Sequence, residues 1–415
     1  MTYLISLILL LLPTYLIRFS IFGIPSTLLE VLIFIVFFYG LYRAFKEGFR
    51  PISWKIYLPV SLLLIALIVS TLISPDKRTA LGEFKGFFID PLLVGWLTYQ
   101  NVKEKPARNA SQSDAGGDIT KLFWGLIGSG LFVSVYTIIQ KILGQVTADG
   151  RVIGIFGYSP NYVALFLAPI AVLLVAYGLQ LTAQRKYWFS AVSCLLLAVS
   201  LIAIYFSGSR GGFLAIAGGV GIFVILRYWS RIRARLGSQI MIVILIIIAI
   251  ATSWTLFKPD LSASPEAGRV ASSNNVRYQI WQTSIELGKL HPVSGVGLGN
   301  FQSAFGDLTQ NRANFSEYIT PLALTPHNIF LMFWLSTGIL GLVAFIWLLV
   351  EFFRKGFSSL KKPLRLIILA VMASIIIYGL VESSIWKNDL AIIFWTFWSL
   401  IWTVENAKVK SQNAK

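Results

Sequence analysis

The chain has 415 residues, of which 56% are apolar, 14% aromatic and only 13% charged, with a net charge of +17. A water-soluble chain of this length needs far more polar residues to cover its surface, so a soluble enzyme or binding module is excluded. Two histidines and one cysteine, Cys194 inside an apolar run, exclude an intrachain disulfide and leave no cluster with metal-ligand spacing; neither metal nor cofactor is expected.

Repeated apolar runs of roughly 20 residues match the ~30 Å hydrocarbon core of a bilayer. In chain order they predict an all-α, polytopic membrane protein with about twelve spans, at 3–22, 27–45, 54–74, 84–100, 121–143, 160–180, 187–206, 211–227, 239–257, 327–352, 363–384 and 390–405. The opening MTYLISLILLLLPTYLI lacks a basic n-region and a small-residue cleavage site, so it reads as a retained first helix. The whole of 1–415 reads as one integral membrane unit.

Lysine and arginine in alternate loops orient such a chain. The segments carrying Arg43 and Lys46, Lys103 and Lys105, Arg185 and Lys186, Arg231 and Arg233, Lys361 and Lys362, and Lys408 and Lys410 fall on one side, which is then cytoplasmic together with both termini. The positive charge is mostly topology, and a nucleic-acid partner is not needed to explain it.

One connection is long. Residues 258–326, between spans nine and ten, lie on the outside and carry NNVRYQIWQTSIELGKLHP, where Val276, Ile280, Trp281, Ile285, Leu287 and Leu290 fall at helical spacing. Asn274 or Asn275 suits the start of that helix and Pro292 bars its continuation. A second helical pattern surrounds Phe301, Phe305 and Leu308, so the loop is expected to form a folded cap. The intervening GVGLGN lacks the GxGxxG spacing and follows no strand; it reads as a tight turn, not a nucleotide loop.

Basic residues on the outside need their own reasons. Arg210 lies in SGSRGGF, Arg151 in DGRVIGIFGYSPN, Arg277 on the cap helix and Lys85 in GEFKGFF, each near the outer end of a different element. Arginine suits bidentate binding of phosphate oxygens, whereas the plainer role for such residues is snorkelling to lipid headgroups. The glycines around Arg210 leave room for a bulky ligand. Glu382, in VESSIWKND, is costly at membrane depth unless paired, and one of the outside arginines is the expected partner. His327 stands one step before the apolar run of span ten, as a general base or as a cap of that helix. Asp307, Glu317 and Glu382 are rival bases, and His291 reads as a structural residue of the cap.

These residues resemble the O-antigen ligase and polymerase-like superfamily of bacterial membrane glycosyltransferases. Its hallmark is His, then Asn, Ser or Gln, nine residues, Gly, two residues, and Gly, Thr or Tyr. Here His327 and Asn328 are followed by residues 329–337, Gly338, two residues and Gly341. RVIGIFGYSPN, SGSRGGF and RYQIWQTS followed by PVSGVGLGNF look like further family features, so the resemblance covers most of the chain from about residue 80 onward.

The resemblance implies transfer of a glycan from an undecaprenyl-diphosphate carrier to an acceptor hydroxyl, at the outer face of the cytoplasmic (inner) membrane. In the ligase branch the acceptor is a sugar of the lipid A–core, in the polymerase branch another carrier-linked glycan, and in a third branch serine or threonine of a protein. The expected catalytic residues are His327, Arg210 and Arg277, and the expected diphosphate or glycan contacts are Arg151, Arg210, Arg277, Lys85 and Asn328. No nucleotide is expected to take part. The rival class is a transporter or flippase of an anionic lipid or solute, which calls for broken helices and polar sites at the membrane midplane.

Overall fold

The computed structural model describes residues 1–21, 24–102, 117–157, 159–228, 273–310, 323–358, 360 and 362–404. Within them the chain is helical apart from one hairpin, and nearly every apolar run of the sequence becomes a helix. The first run is the main departure. Helix α1 covers only Thr2–Leu10, because Pro13 has no N–H to continue it; a 3₁₀ turn, Leu12–Leu16, follows. Strands β1 (Arg18–Ile21) and β2 (Ile24–Thr27) then pair antiparallel, Arg18 with Thr27 and Ile21 with Ile24. The expected span 3–22 is therefore a short helix and a hairpin, too short to cross a bilayer.

The Thr27 hydroxyl accepts from the Glu30 N–H (3.1 Å) and starts α2, Leu28–Glu47; Ser53 likewise starts α3, Trp54–Ile73. The fourth run begins earlier than expected. Asp76 caps α4 (Lys77–Glu83), a π-helical turn spans Phe84–Ile89, and α5 (Asp90–Asn101) completes the segment. Pro91 deletes one N–H and pushes back the carbonyl behind it, and the wide turn absorbs that defect.

Helices α6 (Gly117–Ile142), α7 (Pro160–Ala183), α8 (Tyr187–Ser207) and α9 (Arg210–Arg227) follow. Then come α10 (Ser273–Leu290), α11 (Phe301–Thr309), α12 (Ile329–Phe357), α13 (Pro363–Gly379) and α14 (Asn388–Thr403). Among the described residues seven helices, α2, α3, α6, α7, α8, α9 and α12, are long and apolar enough to cross a membrane. Helix α13 is apolar but has only 17 residues, because the chain turns after Gly379 instead of running to 384. The expected ninth span, 239–257, lies outside the described residues. The chain is thus a multi-pass, mostly helical membrane protein, with seven qualifying spans among the described residues where about twelve were expected in the whole chain.

Helix α7 occupies the centre, against α8, α9 and α13, and its residues from Val163 to Leu174 are buried. Lipid tails are as apolar as this core, so the helices are held by close fit more than by the hydrophobic effect. Gly212 accordingly faces Ala164, and Gly219 faces Val172 and the Ala370 carbonyl.

Of the expected cap, residues 273–310 and 323–326 are described. Helix α10 buries Ile280, Ser284 and Leu287, whereas Ile285 and Leu290 are exposed. At ~100° per residue Ile285 sits roughly 140° around from Ile280, so the buried stripe is narrower than the apolar pattern implied. Phe301 and Phe305 of α11 share a small core with Ile280, Leu287 and Leu335 of α12.

The GVGLGN turn joins α10 to α11 with Gly295, Gly297 and Gly299 all at positive φ (68°, 95° and 72°). It docks into a break in α12, where Gly338 has φ 68°. The Val296 N–H donates to the Leu335 carbonyl (2.7 Å) and the Ile339 N–H to the Val293 carbonyl (3.3 Å). A β-carbon on Gly338 would overlap the Val293 carbonyl. This glycine of the histidine motif therefore opens α12 to seat the cap.

Candidate functional site

The cap re-enters the bundle at His327–Asn328. Asn328 caps α12, its Oδ1 accepting from the N–H groups of Phe330 (2.9 Å) and Leu331 (3.1 Å), while its Nδ2 donates to the Leu380 carbonyl (3.0 Å). His327 is held in the left-handed region (φ 46°), rare for a residue with a β-carbon, and its carbonyl accepts from the Trp281 indole N–H (3.3 Å). Cap and strain together aim the imidazole at the connection between α13 and α14. Its Nδ1 lies 2.6 Å from Oε2 of Glu382.

Glu382 is buried and is the hub of the site. Its Oε1 accepts from the Arg277 guanidinium on α10 (3.0 Å) and from Asn161 Nδ2 at the start of α7 (2.7 Å). Asn161 in turn accepts from Arg151 (2.9 Å), whose Nε donates to the Ser207 carbonyl (2.7 Å). The Tyr378 hydroxyl bonds Ser209 (2.6 Å) and donates to the Asn161 carbonyl (3.3 Å). A buried carboxylate is tolerable here only because it is paired and fully hydrogen-bonded.

The chemistry of this arrangement follows from its donors. A carboxylate only accepts, so Nδ1 of His327 donates, and in the neutral imidazole this tautomer leaves the lone pair on Nε2. The His327 side chain is 29% exposed, so the ring is not sealed off. Carboxylate, imidazole and an open ring nitrogen make a unit able to take a proton from a hydroxyl, flanked by guanidinium groups suited to phosphate.

His327, Asn328, Arg277 and Arg151 are thus brought together, and the expected pairing of Glu382 with an outside arginine is met by Arg277. Arg151 braces the ends of α7 and α8 rather than standing open. Arg210 begins α9, exposed, next to Ser209, and makes no side-chain hydrogen bond or ion pair among the described residues; its neighbour Gly211 packs on the Tyr378 ring. Lys85 falls elsewhere, paired with Glu30 (2.9 Å) and the Pro25 carbonyl (2.6 Å). Asp307 is exposed on α11, His291 is exposed after α10, and Glu317 lies outside the described residues.

Lys85 lines a cavity of about 520 Å³ between the hairpin, the cap and the α13–α14 connection, with Tyr162, Trp386, Lys387 and Asn388 on its walls. Glu83 also lines it, accepting from the Trp386 indole N–H (3.0 Å). Burial pushes the Glu83 carboxyl up to about 7, against hydrogen bonds from Trp386 and the Gly299 backbone. Sequence reasoning passed over Asn161 and Glu83. Asn161 ends the stretch RVIGIFGYSPN, and its place after a helix-starting Ser-Pro was the available signal; Glu83 carried none.

Residues 195–346 match the O-Antigen ligase family model. The resemblance to the O-antigen ligase superfamily holds. The matched segment contains Arg210, Arg277, His327, Asn328, Gly338 and Gly341, and leaves Arg151, Asn161 and Glu382 outside it. An O-antigen ligase of Salmonella typhimurium is similar as well, 25% identical over 354 residues that make up 82% of this chain and 80% of the relative.

Proposed function

We propose that this chain is an O-antigen ligase-type glycosyltransferase, moving a glycan from undecaprenyl diphosphate to a sugar hydroxyl of a lipid A–core acceptor at the outer face of the cytoplasmic membrane. The observation that carries the proposal is the Glu382–His327 pair, 2.6 Å apart, within reach of Arg277. In the reaction His327 Nε2 takes the acceptor proton as the acceptor oxygen attacks the anomeric carbon. The sugar–phosphate bond breaks and undecaprenyl diphosphate leaves with the electron pair. Glu382 holds the imidazole in its working tautomer and balances the imidazolium that forms. Arg277 and the open Arg210 stabilise the charge gathering on the departing diphosphate.

The cavity beside this cluster suits the acceptor. Glu83 and Asn388 offer hydroxyl partners to a sugar, and Lys85, paired with Glu30 on the cavity wall, offers a cation for a phosphorylated or acidic sugar. Lys85 is therefore assigned to the acceptor side and not to the diphosphate. The family description and the Salmonella relative's name favour the ligase over the polymerase branch.

The test is transfer by the purified protein from a defined undecaprenyl-diphosphate glycan, offered either lipid A–core or a second carrier glycan. Glycan on the core, lost in His327→Ala by roughly 10² to 10⁴ in rate, is the expected result. Growth on the carrier instead makes the chain a polymerase, and binding without transfer turns the reading toward transport.

A further inference from the structure

Helix α7 carries Pro169 in its interior, at the centre of the bundle. A proline has no N–H, so the Leu165 carbonyl one turn earlier loses its regular helical partner. Two serines stand near it. Ser374 on α13 is 0% exposed and Ser384, in the connection from α13 to α14, is 5% exposed. Neither hydroxyl makes a hydrogen bond among the described residues, and a buried hydroxyl left that way is costly. The Ser384 hydroxyl is seated over Gly379, where a β-carbon would come within 2.8 Å of it.

Leu165, Pro169, Ser374 and Ser384 line one cavity of about 10 Å³, closed by Ile375, Leu390 and Ile393, all buried. That is room for the centre of one water molecule. A water there meets two hydroxyls, which donate or accept, and one carbonyl, which accepts. It can donate to the carbonyl and to one serine and accept from the other, which is the usual complement of a buried water. No charged residue lines the cavity, and a divalent cation takes about six or more oxygen ligands, so the chemistry is that of water and not of an ion.

We propose that this cavity is the binding site of a single resident water, which joins Ser374, Ser384 and the Leu165 carbonyl. The Ser384 N–H donates to the carbonyl of Glu382 (3.1 Å), so the water fastens the turn that carries Glu382 to α7 and α13. Tyr378 lines the same cavity, and its hydroxyl reaches Ser209 and the Asn161 carbonyl in the outer cluster. The site lies behind that cluster and does not depend on the proposed transfer reaction.

The test uses the full chain in detergent, mixed rapidly into H₂¹⁸O and labelled by radiolytic hydroxyl radicals, with the products read by mass spectrometry. Ile375, Leu390 and Ile393 are expected to be labelled although buried. They are expected to carry ¹⁶O at a mixing time when Tyr278, exposed on the cap, already carries ¹⁸O. The Ser374→Ala/Ser384→Ala double variant is expected to lose that label while Tyr278 is labelled as before. Amide hydrogen exchange of residues 380–386 should be faster in the variant. Cavity residues that stay unlabelled in the parent overturn the site, as do residues that take ¹⁸O as fast as Tyr278. Label that persists in the variant overturns it too, and unchanged amide exchange overturns the fastening of the turn. If the variant does not fold, the labelling of the parent decides.

Discussion

The two ends of helix α12 use the same residue types to opposite effect. At the His327 end the charges converge on one buried carboxylate, which fixes Arg277, Asn161 and the imidazole in a single geometry. At the other end the Arg50 guanidinium lies on the Tyr99 ring and donates to two backbone carbonyls beside an open cavity. A carboxylate hub neutralises the cation that it fixes, whereas a ring face and two carbonyls fix a guanidinium and add no negative charge. The first suits chemistry on one atom.

Removing the hub is expected to have the largest effect. Glu382→Ala removes the acceptor shared by Arg277, Asn161 and His327, and breaking a buried pair costs about 3–5 kcal/mol. Transfer and thermal stability should fall together. Glu382→Gln should keep more of the fold than of the transfer rate. Equal losses in that variant would reduce the carboxylate to a packing role.

Gly338→Ala comes next. Its β-carbon displaces the Val293 carbonyl and demands a positive φ from alanine, so the cap should lose its seat on α12. Faster proteolysis within residues 273–310 is the expected readout. An unchanged digest would show that the cap is held by its apolar core alone.

The arginines sharpen the contrast within the outer site. Arg210→Ala should weaken donor use, seen as a raised KM, and leave the unfolding temperature unchanged, because its guanidinium makes no hydrogen bond or ion pair among the described residues. Arg151→Ala should lower that temperature, since Arg151 ties Ser207 to Asn161. The opposite pattern would exchange their roles.

The smallest effect is a pH dependence. Glu83 has its carboxyl raised from 4.5 to about 7, so the folded protein binds more proton there than the unfolded chain. Stability should then fall as pH rises from about 4.5 to 7 and level off above. Glu83→Gln should flatten that slope in thermal unfolding measured across the same range.

Much of the helical pattern was legible, because apolar runs in a membrane protein declare themselves by length. Runs α2, α3, α6 to α9 and α12 appear close to their expected bounds, and the fourth begins earlier. What composition hid was local. Pro13 follows the end of α1 within a leucine-rich run, and the turn after Gly379 runs into VESS at the tail of an apolar stretch. In the site, Glu382 was legible as a buried acid needing a cation, and His327 through its motif. Asn161 was not: its role as a link between Arg151 and Glu382 exists only in three dimensions, where residues 221 positions apart meet. Lys85 was grouped with the arginines because it shares their side of the chain, and a π-helical turn carries it toward Glu30 instead.

The left-handed backbone of His327 has a consequence for how durable this protein can be. Holding a β-carbon at φ 46° costs on the order of 1–3 kcal/mol, which glycine would not incur. His327→Gly should therefore melt at a higher temperature than His327→Ala, with both equally unable to transfer. The backbone strain at His327 is what the fold accepts in order to aim one ring.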